Sequence, residues 1–441
     1  MELDSCLTAP PDWPRRTISE ICERFTSGGT PSRARPEFYG GRIPWVKTKE
    51  LTDRTLWNAE ECITEAGLAG SSAKLLPAGT VLMAMYGATV GKLGRLGVPM
   101  ACNQACAAMV VDGNRADASY LYFQLKLNRS KIVSSASGAA QQNLSGLQIK
   151  NFILPFPGVR EQRLIGGLLA SLDEKIELNR RMNETLEAMA QAIFRDWFVD
   201  FGPVRRKMEG ATDPVAIMGG LTSDPARAAE LAGLFPDGLG EHGLPVGWSE
   251  RPLDQIAEFL NGLALQKFPA VSGEPSLPVI KIAELRNGLT DKSNRASYRL
   301  PEKYIVHDGD YIFSWSGSLM AKVWAEGDGA LNQHLFKVSS KAYPQWFYAG
   351  WVEHHLPEFR HIAASKATTM GHIQRGHLSS AMTVCPPKVA LQAMSEVLVP
   401  LWDRRVNNDL ENRTLAETRD YLLPRLMSGQ VRIGDSEAMV A

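Results

Sequence analysis

The chain has few cysteines, no long apolar run and no net charge. Its 6 cysteines among 441 residues are irregularly spaced, and most of them fall in the first quarter of the chain. This spacing argues against a disulfide framework and favours free thiols in a reducing compartment. No uninterrupted apolar run approaches the ~20 residues of a membrane span, and the N-terminal residues lack the apolar core of a secretory signal. We therefore predict a cytoplasmic protein that makes no membrane contact.

Motifs for catalysis and metal binding are also missing. The sequence contains no Gly-x-Gly-x-x-Gly after a strand, no Gly-x-Ser-x-Gly, no metal-type Cys-x-x-Cys and no His-Glu-x-x-His. The segment GATVGKL (87–93) is one residue too short between its glycines for a phosphate loop, and Leu93 replaces the hydroxyl residue that holds magnesium. The histidines between 354 and 377 have no acidic or cysteine partner at ligand spacing, which favours ordinary histidines over a metal site. We predict a chain that is not an enzyme and that binds no metal or cofactor.

The charge is unevenly distributed although the total is zero. Residues 13–158 contain 17 Lys and Arg against 10 Asp and Glu, whereas residues 248–387 contain 14 against 13. A basic segment is consistent with a polyanionic partner, although an excess of this size also lies within the ordinary scatter between domains. Because the whole chain is neutral, we expect it to need other subunits for tight binding to nucleic acid.

The sequence does contain a long internal repeat. The pair Asn103-Gln104 recurs 229 residues later as Asn332-Gln333, and IPWVKTKEL (43–51) resembles LPVIKIAEL (277–285). A solenoid repeat would be ~20–50 residues long. The chain therefore carries a whole module twice.

Each module begins with short apolar runs and turn residues. The segments 80–96 and 310–324 have the pattern of strands interrupted by a glycine turn, whereas LYFQLKL (121–127) fits a helix or a strand. LPFPG (154–158) and CPPK (385–388) then place prolines before a long helical segment, where they suit the approach to a helix.

A long helix follows each module. Apolar residues recur at alternating spacings of four and three in residues 165–197, and asparagines occupy equivalent positions in both helices. A seam asparagine costs stability but fixes the register and the partner of a coiled coil. The alternative is two separate amphipathic helices with solvated asparagines, but the equivalent polar layers favour pairing. The predicted pairing residues are Leu172, Ile176, Asn179, Asn183, Leu186, Leu401, Asn408, Asn412 and Leu415.

We therefore predict an α+β fold of two similar mixed α/β domains, each followed by a long helix, with the helices paired as an antiparallel coiled coil. The central segment reads as an extended connection with one possible short helix, ARAAELAGLF. The predicted boundaries are 1–158 for the first domain, 159–202 for its helix, 203–245 for the connection, 246–387 for the second domain, 388–428 for its helix and 429–441 for the tail.

Two polar loops occupy equivalent places in the repeat. SSASGAAQQNLSG (134–146) and SKATTMGHIQRGHLSS (365–380) are rich in hydroxyl, amide and glycine residues. Gln and Asn pair well with adenine edges, Arg and Lys with guanine edges, and hydroxyls with phosphates. An ordinary solvated loop would have a similar composition, so this feature alone favours DNA contact only slightly.

The complete pattern resembles the specificity subunit of Type I restriction–modification systems over nearly the whole chain. The order of the motifs and their double occurrence make the resemblance specific, while the second exit keeps only Gln392 of the first exit's motif. The motifs are the Trp13–Ile18 and Trp248–Leu253 starts, IPWVKTKEL, YGATVGK with Asn103-Gln104, GAAQQNLS, the exit with Pro155, Pro157, Glu161 and Gln162, the helix LDEKIELNRRMNETLEAMAQAIFRDWF and the tract FVDFGPVRRKMEG.

The resemblance implies a non-catalytic DNA-reading subunit with two target-recognition domains, each reading half of a bipartite asymmetric double-stranded DNA sequence. It also implies two methyltransferase subunits that bind S-adenosylmethionine, and restriction subunits that use ATP and magnesium for translocation and cleavage. The alternative is a coiled-coil scaffold with two protein- or glycan-binding modules. The candidate DNA-binding residues are Lys47, Thr48, Tyr86, Thr89, Lys92, Gln141, Gln142, Lys281, Trp315, Ser318, Lys322, Lys366, Thr368, Thr369, His372, Gln374 and Arg375.

Overall fold

The computed structural model describes residues 9–136, 143–365 and 371–433. The chain divides into two compact units, the first formed by Met1–Leu178 with Thr414–Ala441 and the second by Asn179–Arg413. Within the described part of the chain, no helix combines the length and the apolar character needed to cross a membrane.

The described residues of the first unit form ten strands in three sheets. A five-stranded sheet has the order β2-β9-β6-β7-β4, a three-stranded sheet has the order β5-β3-β8, and β1 pairs with β10. β6 and β9 are continuous apolar runs whose alternate residues are buried in two different cores, so both faces of the larger sheet are covered. The strands are β1 (Arg15–Thr17), β2 (Cys22–Ser27), β3 (Tyr39–Val46), β4 (Arg54–Leu56), β5 (Cys62–Ile63), β6 (Val81–Ala84), β7 (Leu93–Leu96), β8 (Ala101–Cys102), β9 (Cys106–Val111) and β10 (Ile153–Pro155).

Helices cover the larger sheet of this unit. The segment that fitted either a helix or a strand is helical, and Asp117 caps it by accepting a 2.9 Å hydrogen bond from the backbone N–H of Tyr120. A capping aspartate of this kind satisfies one of the free N–H groups of the first turn. The helices that begin in this unit are α1 (Ile18–Ile21), α2 (Glu65–Ala69), α3 (Ala118–Leu127), α4 (Arg129–Ser134), α5 (Gly146–Lys150) and α6 (Val159–Phe194).

The second unit repeats this plan. Its sheets have the orders β12-β19-β16-β17 and β14-β13-β18-β15, and β11 pairs with β20. In both units the strand that opens the module therefore pairs with the strand that closes it. The strands are β11 (Ser249–Pro252), β12 (Glu258–Asn261), β13 (Ser276–Ile280), β14 (Arg295–Ser297), β15 (Ile305–Val306), β16 (Tyr311–Ser314), β17 (Ala321–Val323), β18 (Gly329–Leu331), β19 (Leu335–Ser339) and β20 (Met382–Cys385).

Eight further helices begin in the second unit among its described residues. The C-terminal part of α6, from Asn179, also belongs to this unit and is followed by a π-helical turn at Arg195–Val199. The two long helices, α6 and α14, have 36 and 40 residues. Helices of this unit are α7 (Gly202–Met208), α8 (Pro214–Ile217), α9 (Pro225–Gly233), α10 (Leu253–Ile256), α11 (Ile282–Asn287), α12 (Gln345–Ser365), α13 (Arg375–Ser380) and α14 (Lys388–Met427).

The central segment 203–245 is more structured than the extended connection that its composition predicted. Its side chains Val204, Leu231 and Phe235 are buried in the main core of the second unit. Asp213 and Asp224 cap α8 and α9, each followed by a proline at the first helical position. The segment thus belongs to the packed core of the second unit, and the predicted short helix corresponds to α9.

The long helices run antiparallel in each unit. In the first unit, Arg419 of α14 pairs with Asp173 of α6, and Ile165, Leu169 and Leu426 are buried in the same core. Asp173 also lies 3.3 Å from Lys126 of α3, which ties the helix pair to the domain.

The second unit contains the polar layer of the helix pair. Asn179 is fully buried and donates a 3.1 Å hydrogen bond to Asn412 Oδ1. Asn408 is 1% exposed and donates a 2.8 Å hydrogen bond to Asn183 Oδ1. Arg405 pairs with Glu187 one turn further along, at 3.1 Å. The residue numbers rise on one helix as they fall on the other, so the predicted antiparallel coiled coil is confirmed.

The apolar pairing candidates flank this layer. Ile176 is 3% exposed, whereas Leu172, Leu186, Leu401 and Leu415 are half-buried.

Candidate nucleic-acid interface

The turn between β6 and β7 organises the candidate surface of the first unit. Gly87 and Gly91 have positive φ angles of 70° and 77°, which a residue with a Cβ atom adopts only at a cost. The turn holds Tyr86 with 42% of its surface exposed. An isolated β-bridge joins Tyr86 to Asn143, directly after the part of the polar loop that lies outside the described residues.

Four segments meet beside Tyr86. The surface, called here the first candidate surface, is formed by the end of β2, the β6–β7 turn, the turn before β9 and α5. Among its described lining residues none is acidic, and its lysine, hydroxyl, amide and aromatic groups can all contact DNA. The described lining residues of the first candidate surface are Phe25, Thr26, Ser27, Met85, Tyr86, Gln104, Gly146, Leu147 and Lys150.

Local contacts orient these side chains. Lys150 of α5 lies with its Nζ 5.2 Å from the centre of the Phe25 ring. Gln104 accepts a hydrogen bond from the Thr30 hydroxyl. Lys74 donates to Thr26 Oγ1 over 2.5 Å. The surface therefore presents basic and amide groups on a framework fixed by the sheet.

The same place in the second unit can be found from the strand register. Phe25 pairs with Met109 in the first unit, and Phe259 pairs with Val338 in the second. Met109 and Val338 are themselves related by the 229-residue repeat. The second candidate surface therefore consists of Phe259, Leu260, Asn261, Trp315, Gln333, His334, His372 and Arg375.

Trp315 is the centre of this second surface, as Tyr86 is of the first. Its indole Nε1 donates 3.0 Å to Asn261 Oδ1, and its ring centre lies 6.0 Å from that of His334 and 6.3 Å from that of His372. The His334 Nδ1 is 3.0 Å from the Ser316 hydroxyl. The imidazoles and the asparagine thus surround an aromatic ring in a hydrogen-bonded cluster.

The short helix of each unit brings a basic residue close to the phenylalanine of the opening strand, although from different positions in the helix. Arg375 of α13 donates 3.4 Å to the backbone oxygen of Phe259, where Lys150 of α5 approaches Phe25. Gln374 caps α13 at its exposed start, and its backbone N–H donates to His377 Nδ1 over 3.0 Å. The two surfaces share a frame but carry different chemistry. Asn261 and Trp315 replace Ser27 and Tyr86, and the basic residue lies at the start of α13 (Arg375) instead of the end of α5 (Lys150).

Several predicted contact residues lie in the supporting frame. Lys47 pairs with Glu61, and its backbone N–H donates 2.9 Å to Glu50. Lys281 donates 2.6 Å to Asn294, and its backbone N–H donates 3.2 Å to Glu284. The repeated Lys-x-x-Glu motif therefore closes a turn at the same place in both units.

Lys92 contacts an acidic group, and Lys322 acts on one electrostatically. Lys92 lies 3.3 Å from Asp53, which also binds Arg129. Burial raises the pKa of Glu326, and the positive charge of Lys322 in β17 opposes this rise.

Other predicted residues lie in turns near the surfaces or outside the described residues. Thr48 begins a short 3-10 turn, the Thr89 hydroxyl donates 3.4 Å to the Tyr86 oxygen, and Ser318 lies beside Arg286 and Arg360. Gln141, Gln142, Lys366, Thr368 and Thr369 lie outside the described residues.

The prediction missed the strand-end residues Phe25–Ser27 and Asn261, Gln104 and Gln333, and Lys150. The repeated Asn-Gln pair was the available signal for the two glutamines, since it marks the same turn in both units.

The described residues contain no group of three or more His, Cys, Asp or Glu side chains placed to hold a metal ion. The Nε2 of His355 donates a 2.9 Å hydrogen bond to the Met382 backbone oxygen, as an ordinary structural histidine does.

Comparison with known proteins extends this picture. A family model described as the Type I restriction modification DNA specificity domain matches residues 10–188 and 245–416. The specificity subunit of the MjaIX Type I restriction enzyme of Methanocaldococcus jannaschii is 24% identical over 438 residues, which cover 96% of this chain and 94% of that protein. The HindI specificity subunit of Haemophilus influenzae is 25% identical over 337 residues, covering 68% and 73%.

A solved structure has the same fold. The S subunit of a Type I restriction–modification system from M. genitalium superposes with a TM-score of 0.58 at 14% identity, covering 96% of this chain and 98% of that one.

The fold and the two candidate surfaces define a class of protein in which one chain carries two copies of an α/β module and an antiparallel pair of long helices. Because the family model matches both modules and most of the chain, the chain belongs to the Type I restriction modification DNA specificity family. The resemblance is confirmed, and the alternative of a protein- or glycan-binding scaffold is not supported.

Proposed function

We propose that the chain reads a bipartite, asymmetric DNA target, with the first candidate surface reading one half and the second reading the other. The observation that carries this proposal is the recurrence of one surface on equivalent strands with different side chains. Two identical surfaces would favour two identical half-sites. The replacement of Ser27 and Tyr86 by Asn261 and Trp315, and the different positions of the basic residues Lys150 and Arg375, favour two different ones.

The contact chemistry of the two surfaces supports direct reading of bases. Gln104, Gln333 and Asn261 carry amides that suit adenine, and Arg375 carries the guanidinium that suits guanine. Tyr86 and Trp315 supply rigid aromatic surface. Hydroxyls such as Thr26 suit phosphates and position the duplex.

The chain acts in this proposal as a non-catalytic cytoplasmic subunit. Two methyltransferase subunits would bind S-adenosylmethionine and methylate adenine, and restriction subunits would use ATP and magnesium for translocation and cleavage. Such partners would supply many of the phosphate contacts that a chain of zero net charge lacks.

Methylome sequencing of a host with and without the gene tests this function. We expect one bipartite adenine-methylated motif to disappear when the gene is deleted and to return on complementation. A matched deletion of the methyltransferase gene should erase the same motif. An unchanged set of methylated motifs after loss of this chain would contradict the proposal.

A further inference from the structure

The second unit encloses a cavity away from its candidate surface. The cavity has a volume of about 360 Å³ and lies where α6, α12 and α14 meet, with Phe194, Trp346 and Trp402 in its wall. This volume is at the lower end of the ~300–1,000 Å³ range of small-molecule pockets. A Cβ atom on Gly350 would lie 2.4 Å from the Phe194 ring, so the glycine is required for that ring to line the cavity.

The two tryptophans offer ring surface to this space. Trp346 Nε1 donates 3.1 Å to Ser395, and Trp402 Nε1 donates 2.9 Å to Gln345. Neither acceptor lines the cavity. Because both indole donors are satisfied elsewhere, the cavity meets the aromatic ring atoms of these residues and not their N–H groups, and an aromatic ring attracts positive charge.

The charged groups in the wall are unevenly matched. Arg405 pairs with Glu187 at 3.1 Å, and its guanidinium lies 5.3 Å from the centre of the Trp402 ring. Within the described part of the chain, Glu353 accepts a single long hydrogen bond of 3.5 Å, from Gln191. The carboxylates of Glu187 and Glu353 therefore share the single guanidinium of Arg405. A positive charge beside Glu353 would neutralise the second carboxylate.

The other titratable groups do not supply that charge. Arg195 pairs with Asp200 at 3.0 Å. Burial lowers the pKa of His354, so this imidazole stays neutral at neutral pH. Burial, reinforced by the charge of Glu187, raises the pKa of Glu353 to about 7. The carboxylate is thus held close to its own titration point.

The first unit has no such arrangement at the equivalent positions. Gln124 stands where the repeat places Glu353, and it donates 2.8 Å to the Tyr120 hydroxyl. Asp173 stands where the repeat places Trp402. The cavity is therefore not required by the shared frame of the two modules.

We propose that this cavity binds an organic cation, an alkylated ammonium or a guanidinium group, with Phe194, Trp346 and Trp402 around the positive head and Glu353 as its counter-ion. An inorganic divalent cation fits poorly, because it prefers several oxygen ligands to aromatic rings. The cation belongs either to a free small molecule or to a lysine or arginine side chain of a bound polypeptide.

Isothermal titration of the full chain tests this inference. The probes are choline, its uncharged isostere 3,3-dimethyl-1-butanol and N-acetyl-arginine amide. We expect a cationic probe to bind about tenfold or more tightly than the isostere, as a desolvated cation–π contact predicts. Glu353→Gln should weaken that probe about tenfold. Glu358→Gln on the same helix, whose side chain is 66% exposed, is the matched control and should change nothing.

The pH dependence provides a second readout. Only ionised Glu353 is a counter-ion, so the affinity of the cation should fall as the pH is lowered from 8 to 6, and Glu353→Gln should abolish this fall. Trp402→Leu should weaken binding while circular dichroism reports a folded chain. Tighter binding of choline assigns the site to a small molecule, and tighter binding of the arginine derivative assigns it to a polypeptide. Equal affinity for the isostere, no effect of Glu353→Gln, or no binding of either cation at millimolar concentration would overturn the inference.

Discussion

The buried asparagine layer gives a sharp test of the helix pair. Asn408 is 1% exposed and donates to Asn183 Oδ1 over 2.8 Å, while Asn183 Nδ2 donates 2.9 Å to Asp409. Asn408→Leu removes the donor and leaves the Asn183 oxygen without it. Asn183 is half-buried, and an acceptor left unsatisfied away from water costs about 1–3 kcal/mol. We therefore expect a loss of about 2 kcal/mol in the free energy of unfolding.

The double variant Asn183→Leu with Asn408→Leu should behave differently. It removes both amides and replaces them with apolar side chains, which is often nearly neutral. We expect it to recover most of the stability lost in Asn408→Leu, although Asp409 loses one hydrogen bond. Register specificity should fall, because a polar seam residue penalises shifted pairings.

Thermal unfolding followed by circular dichroism measures these effects. A loss of 2 kcal/mol corresponds to about 4–8 °C for a unit of ~150–250 residues. Asn407→Leu, on the exposed side of the same helix, is the matched control and should stay within about 0.5 kcal/mol of the parent chain. The reasoning is refuted if Asn408→Leu is as harmless as Asn407→Leu, or if the double variant loses at least as much stability as the single one.

Three further predictions concern the two surfaces and the cavity. Tyr86→Ala and Trp315→Ala should each weaken binding of cognate DNA to the assembled complex about tenfold, as measured by fluorescence anisotropy. Tyr298→Ala, at an exposed tyrosine, is the control. Equal losses of affinity for scrambled DNA would argue against base reading. Arg375→Ala should lower the slope of log K against log salt by about 1 if it contacts a phosphate, and an unchanged slope and affinity would place it outside the interface. The pKa of Glu353 is raised to about 7 in the folded chain, so this residue costs the chain stability as the pH rises from about 4.5 to 7. Glu353→Gln should therefore raise the free energy of unfolding at pH 8 by about 1–3 kcal/mol and have little effect near pH 4.5. An equal effect at both pH values would contradict this prediction.

The helix pair was predictable because its pattern is local and periodic. The alternating four- and three-residue spacing identified the seam, and the equivalent asparagines identified the polar layer. Sequence alone does not give the partner of each asparagine, since that depends on the relative register of two distant helices. The structure pairs Asn179 with Asn412 and Asn183 with Asn408.

The candidate surfaces were only partly predictable. Tyr86 and Trp315 were found because they lie beside a repeated glycine turn. Lys150 and Asn261 were missed because helix α5 and strand β12 bring them to these turns from segments distant in sequence. Lys47 and Lys281 were selected because their motif repeats, yet the contacts show that a repeated lysine can serve a turn.

The central segment shows a signal that was present but unused. Asp213-Pro214 and Asp224-Pro225 combine a capping carboxylate with a proline at the first helical position, which is a recognised helix start. High Pro and Gly content outweighed this signal in the prediction. The burial of Val204 and Phe235 depends on tertiary packing and could not be read from composition.

Exchange of one recognition module tests the central claim most directly. Residues 13–155 are replaced with the corresponding module of a relative that has a different target, and the methylome of the host is sequenced with the cognate methyltransferase present. We predict that one half of the methylated motif changes while the other half is retained. A change in both halves, or a motif that stays intact, would contradict the reading of separate half-sites by the two surfaces.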